Sequence, residues 1–166
     1  MTIQTTTDLQ EVVEAVVREH RDERGPLLVV LQDIQRRMGH LDPDVVPLVA
    51  SALNLSRADV HGVVTFYHDF HEAPRGAVTI KLCRAEACQS MGAEAVVAEV
   101  KDLLGIGIAE TAADGSVSLD QVFCLGNCAL GPAAQINGRL YGRVDRDTIL
   151  DVLRSDLQGE TLSEAP

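Results

Sequence analysis

No stretch of this chain is apolar for long enough to cross a bilayer. Runs such as Leu27–Leu31 fall far short of the roughly 20 residues that a spanning helix needs. Basic side chains are scarce, 14 against 25 acidic ones, so the formal charge is −11. The acidity is shared evenly, with a balance of −5 over residues 1–75 and −6 over 76–166. A surface of that sign repels phosphate backbones and anionic lipid, which argues against nucleic-acid and membrane-surface partners. Met1–Thr7 lacks a basic segment followed by an apolar one. No signal peptide is read there, and a cytoplasmic protein is expected.

Other absences narrow the chemistry. No phosphate-binding loop and no Gly-x-Ser-x-Gly elbow occurs. Gly105-Ile106-Gly107-Ile108-Ala109-Glu110 opens like a dinucleotide fingerprint. It lacks the third glycine and follows a helix rather than a strand, so it is rejected as an NAD site. The chain thus shows no substrate site of its own. There is no internal repeat and no low-complexity tract.

What is present divides near Pro74-Arg75-Gly76. Before it the pattern is helical. Asp8 is placed to cap a helix carrying Leu9, Val12, Val13, Val16 and Val17 at helical spacing. Gly25-Pro26 breaks it, and Pro26 suits the first turn of a second helix that Gly39 ends. Asp42-Pro43 repeats that start before Val45–Leu53, where Pro47 is a possible kink, and Ser56-Arg57-Ala58-Asp59 resembles a capping box for a fourth helix.

After the divide, Ala77–Leu82 is β-prone and runs into Cys83. Met91–Leu104 is helical with Ser90 as candidate cap, and Ser116–Phe123 alternates into Cys124. Asn137-Gly138 signals a hairpin between Ala133–Ile136 and Arg139–Tyr141, and Asp145–Leu153 closes as a helix. The expected organisation is α+β: a helical bundle over 1–75, a second domain over 76–157 and a polar tail over 158–166.

The four cysteines carry the chemistry. Cys83 and Cys88 enclose four residues, Cys124 and Cys128 enclose three, and 35 residues separate the pairs. Each pair begins where a predicted strand ends. Parallel neighbouring strands would bring both pairs to one edge of a sheet. A [2Fe–2S] cluster needs four thiolates, two per iron. Gly126 and Gly131 permit a tight backbone beside the second pair. Four thiolates also suit tetrahedral zinc, so spacing alone leaves the metal open. A dithiol switch is weaker, since no Cys-x-x-Cys occurs, and stable disulfides are not expected in a reducing cytoplasm. No Cys-x-His pair occurs, which disfavours a Rieske-type centre and points to a low potential if iron is bound. His61, His68 and His71 are spaced to share a helix face, a pattern commoner in solvated or capping histidines than in a metal site.

Cys124-Leu125-Gly126-Asn127-Cys128-Ala129-Leu130-Gly131-Pro132 resembles the signature of the thioredoxin-like [2Fe–2S] subunit family. That family includes the small iron–sulfur subunit of the NADH-oxidising module of respiratory complex I. Cys83-Arg84-Ala85-Glu86-Ala87-Cys88 matches its first pair. Gly39-His40-Leu41 and His61-Gly62-Val63-Val64-Thr65-Phe66-Tyr67 resemble its helical region. The resemblance implies a thioredoxin-like second domain and one [2Fe–2S] cluster per chain on Cys83, Cys88, Cys124 and Cys128. It also implies single-electron exchange with a partner subunit that binds FMN and NAD. Pro132 then occupies the place of the cis-proline of such folds. Within the family, Cys83–Gly92 looks closest to the gamma subunit of soluble NAD-dependent formate dehydrogenases, which implies a molybdenum-containing large subunit as a further partner.

Overall fold

The computed structural model describes residues 6–157. The expected tail over 158–166 lies outside the described residues. Two compact units divide between Pro74 and Arg75.

The first unit holds four helices, α1 (Thr6–Glu19), α2 (Leu27–Met38), α3 (Val45–Leu53) and α4 (Arg57–Phe66). Their apolar stripes meet in one core that includes Val13, Val16, Leu31, Ile34, Val45, Val49 and Val60. Asp8 lies inside the first turn of α1 rather than at its cap, because the helix starts at Thr6. An acidic side chain is favourable there too, against the positive end of the helix. Gly39 ends α2 in the left-handed conformation at φ 84°. Pro47 does not interrupt α3, since it sits in the first turn, where no backbone donor is needed.

The capping box forms at α4. The Asp59 N–H donates to Ser56 Oγ at 3.1 Å, and the Ser56 N–H donates to Asp59 Oδ2 at 3.2 Å. Ser56→Ala is expected to cost about 1 kcal/mol, read from denaturant unfolding at unchanged slope. An unaltered midpoint would show that the box adds nothing.

Asp33, only 6% exposed, is the charged residue in this helical core. It accepts from Arg36 Nη1 at 2.6 Å and Arg37 Nη2 at 2.8 Å, and His20 Nε2 stands 3.3 Å away. His20 Nδ1 faces Glu23 at 2.7 Å. That Glu23 contact, with help from Asp33 and against partial burial, raises the His20 pKa. Burial pushes the Asp33 carboxyl up, but Arg37, His20 and Arg36 outweigh it and hold it below its usual range. The two signs bracket a window. The His20 contribution is complete below about pH 6.5 and is lost as pH rises through the folded value. The Asp33 contribution is complete above about pH 4 and is lost as pH falls through its own folded value. The melting temperature should therefore decline on the alkaline side of pH 6.5, and His20→Gln should flatten that decline. An identical pH profile in the variant would refute the linkage.

The second unit is built on a five-stranded sheet of order β2-β3-β1-β4-β5. Its strands are β1 (Val78–Cys83), β2 (Glu110–Thr111), β3 (Val117–Val122), β4 (Ala133–Ile136) and β5 (Arg139–Gly142). β1 and β3 run parallel, with Val78 opposite Val117 and Cys83 opposite Val122. The remaining pairs are antiparallel. α6 (Ala93–Leu104) and α7 (Arg146–Leu157) pack against each other and on β1, closing a core of Ile80, Leu82, Val100, Leu119, Ile136 and Ile149. Asn137 at φ 47° and Gly138 at φ 81° make the tight β4–β5 turn.

Ser90 does not cap α6. It closes a one-turn helix, α5 (Glu86–Ser90), and its hydroxyl donates to the Ala87 carbonyl at 2.8 Å. Gly92, left-handed at φ 91°, starts α6 instead. The expected helix over Met91–Leu104 therefore starts two residues later, at Ala93, and the short α5 before it was not expected. α4 ends at Phe66, so His68 and His71 fall beyond it and the expected shared helix face does not form. Among the described residues no helix is long and apolar enough to cross a membrane.

Candidate metal centre

The parallel register of β1 and β3 sets the site. Both strands end at the same edge, so Cys83, the last residue of β1, lies beside the chain leaving β3 toward Cys124. The Arg84 N–H donates to the Val122 carbonyl at 2.8 Å and continues that pairing past the strand end. The sheet thus brings to one place two cysteine pairs that are 35 residues apart.

The first loop is short and held. Ala85 stays extended, and α5 then places Cys88 within a single turn of Cys83. Arg84 clamps the loop from outside. Its Nε and Nη2 donate to Glu94 at 2.9 and 2.8 Å, and its Nη1 donates to Gln121 at 2.6 Å. One guanidinium so ties the loop to α6 and to β3, a bidentate geometry that an ammonium cannot copy. Both thiols are buried, Cys83 at 3% and Cys88 at 2% exposure, among Ala93, Ala133 and Leu125.

The second loop is open. Cys124 and Cys128 are both exposed. Cys124 takes φ 117°, outside the range ordinary residues favour, at a cost of order 1–3 kcal/mol. Gly126, at φ 77°, turns the chain so that its N–H donates to Cys124 Sγ at 3.3 Å. Cys128 opens a 3-10 turn, Cys128–Leu130, ahead of a cis Gly131–Pro132 bond.

Neighbouring groups shift three of the thiols, Cys83, Cys88 and Cys128. Burial pushes the Cys83 thiol up, but donors at the Ala85 backbone, the Cys88 thiol and the Leu125 and Cys124 backbones bring it below its usual value. Burial raises Cys88, and so do the sharing of a hydrogen bond with Cys83 and the charges of Cys83 and Cys128, against a donor at the Ala133 backbone. Cys128 is raised first by its hydrogen bond with Cys124, then by the Cys124 charge. Hydrogen bonds thus link Cys83 with Cys88 and Cys124 with Cys128, while charge acts across from one pair to the other. Among the described residues, no group of three or more His, Cys, Asp or Glu converges on a single ion position.

This arrangement fits a binuclear group well. Two thiolate pairs side by side suit two irons, and backbone N–H groups aimed at the sulfurs supply the hydrogen bonding that such clusters use. A sheet that presents two cysteine pairs at one edge suits a small iron–sulfur protein. A family model described as "Thioredoxin-like [2Fe-2S] ferredoxin" matches residues 13–156. The chain belongs to that family, and a [2Fe–2S] cluster is its cofactor.

Among its relatives is a component of the NADH-quinone oxidoreductase of Pseudomonas aeruginosa, 33% identical over 86% of this chain and 86% of that protein. The NADP-reducing hydrogenase subunit HndA of Solidesulfovibrio fructosivorans is 35% identical over 87% of this chain and 84% of its own length. A solved chain of an NAD+-reducing [NiFe]-hydrogenase superposes with a TM-score of 0.69 over 85% of this chain and 24% of that one. At 21% identity the last likeness is one of fold.

The structure brings the four cysteines singled out in the sequence to this one sheet edge. Sequence reasoning missed Arg84, whose two distant partners are not visible along the chain. It also missed the contrast between a buried and an exposed pair.

Proposed function

We propose that this chain is the [2Fe–2S] electron-transfer subunit, of gamma type, in a soluble NAD-dependent formate dehydrogenase, with Cys83, Cys88, Cys124 and Cys128 as ligands. The observation that carries the ligand assignment is the side-by-side placement of the two thiol pairs at the shared edge of β1 and β3. When bound, the cluster supplies single-electron transfer, which a flavin in a partner subunit links to the hydride chemistry of NAD. The chain's own part is to hold and orient. Cys83 and Cys88, which are buried, would hold the cluster from the protein interior, and Cys124 and Cys128, which are exposed, would hold it at the surface.

The open side also suits a partner that carries FMN and NAD. Residues 123–138 contain no charged side chain. Phe123 is 69% exposed, Met91 61% and Leu130 42%. Uncharged, aromatic and methionine-bearing surface is the composition of an interface core.

The assignment to formate rests on the likeness of Cys83–Gly92 to the gamma subunits. The names of the relatives favour a second reading, the same subunit in an NADH dehydrogenase module or an NAD-coupled hydrogenase. Purifying the chain with its natural partners separates the two. A molybdenum-containing large subunit and formate-dependent NAD+ reduction would support the first. A nickel–iron subunit or a quinone-linked complex would replace it with the second.

A further inference from the structure

Burial does not hold Cys128 in place, because Cys128 and its neighbours Ala129 and Leu130 are exposed. Something else must fix this ligand. The turn that begins at Cys128 lies directly on the end of β5, where Ala133 of β4 pairs with Gly142. A Cβ added at residue 142 would come within 2.6 Å of Leu130 Cβ, 2.9 Å of Asn127 Nδ2 and 3.0 Å of the Leu130 carbonyl oxygen. Two backbone bonds close the same contact. The Arg143 N–H donates to the Leu130 carbonyl at 2.6 Å, and the Val144 N–H donates to the Pro132 carbonyl at 2.9 Å.

Gly142 does not need to be glycine for its backbone. Its neighbour Gly138 is left-handed at φ 81°, whereas Gly142 lies outside the left-handed range. The requirement is for space alone. We propose that Gly142 is a positioning residue for the iron ligand Cys128: its missing side chain lets the 127–130 turn seat on β5 and sets where the exposed sulfur stands. The proposal rests on the four-cysteine reading above. A methyl group at 142 meets Leu130 Cβ and the Leu130 carbonyl oxygen, which cannot swing aside as the Asn127 side-chain tip can. Leu130 is half exposed, so the crowding is relieved by lifting the turn outward, and Cys128 moves with it.

The test compares Gly142→Ala with Gly138→Ala in the full chain carrying its cluster. Gly138→Ala strains the same hairpin through its φ but meets nothing within 4 Å. Gly142→Ala is expected to release iron to a chelator about tenfold faster than wild type. It should also shift the visible circular dichroism and the EPR g-values of the reduced protein. Gly138→Ala is expected to lower the melting temperature and leave those spectra unmoved. Leu130→Gly placed on Gly142→Ala removes the 2.6 Å contact and should return both spectra toward wild type. If the single variant is too unstable to isolate, that double variant should still fold and bind iron.

Wild-type spectra and release rate in Gly142→Ala would overturn the proposal. So would equal spectral shifts in Gly138→Ala, or no recovery in the double variant. A wild-type chain that binds no iron would overturn the four-cysteine reading as well, which separates the two failures.

Discussion

Cys88→Ala is expected to leave the chain nearly colourless, with at least roughly tenfold less bound iron, whereas Cys124→Ser should keep a measurable fraction. The difference has two sources: serine brings an oxygen where alanine brings no ligand atom, and the two positions differ in burial. Cys88 is 2% exposed and packed among Ala93, Ala133 and Cys83, so neither water nor another side chain reaches the position its sulfur vacates. Loss of a ligand there leaves a buried charge without compensation, which costs far more than the same loss at the surface. Cys124 is exposed and precedes a glycine-containing turn, so a serine oxygen or a water has room to take the vacated position. Iron and acid-labile sulfide per chain, with the visible spectrum, decide the matter. Full iron content and unchanged colour in Cys88→Ala would remove it from the ligand set.

Leu119→Ala should be the most damaging change away from the cysteines, costing about 3 kcal/mol, within the range of roughly 2–5 for a buried leucine. Leu119 is fully buried at the centre of β3, opposite Ile80 of β1 and Glu110 of β2. The cavity it leaves lies in the core on one face of the sheet, under the two parallel strands whose ends carry Cys83 and lead to Cys124. The chain should therefore melt about 10 °C or more lower and also lose iron faster. Leu140→Ala makes the contrast. Leu140 is 50% exposed on the edge strand β5, and its removal should change stability by less than about 0.5 kcal/mol. Equal losses at 119 and 140 would show that the sheet core does not support the site in this way.

Much of the fold was legible because it rests on local rules. The capping box at Ser56, the glycine stop at Gly39 and the Asn137-Gly138 turn each depend on neighbours within a few residues. They appear as the sequence reads. Helix starts were less legible. Asp8 has the look of a cap but lies within the first turn, since either place gains from a negative charge. α5 was missed because Glu86–Ser90 is a single turn, too short to show a helical period, and the helix expected over Met91–Leu104 starts two residues later at Ala93. β2 was missed because two residues carry no periodicity, and Glu110–Thr111 is a strand only through its pairing with β3.

The amino-acid sequence by itself determined the chemistry: four thiols, two at each of two strand ends, with glycines beside the second pair and no substrate motif to compete. Residue type and short spacing are local properties and are written along the chain. Only the tertiary structure decided that β1 and β3 lie side by side and parallel, that one pair is buried and the other exposed, and that the turn after Cys128 rests on Gly142. Those are contacts between segments distant in sequence. They follow from how the sheet buries its apolar face, which no local pattern records.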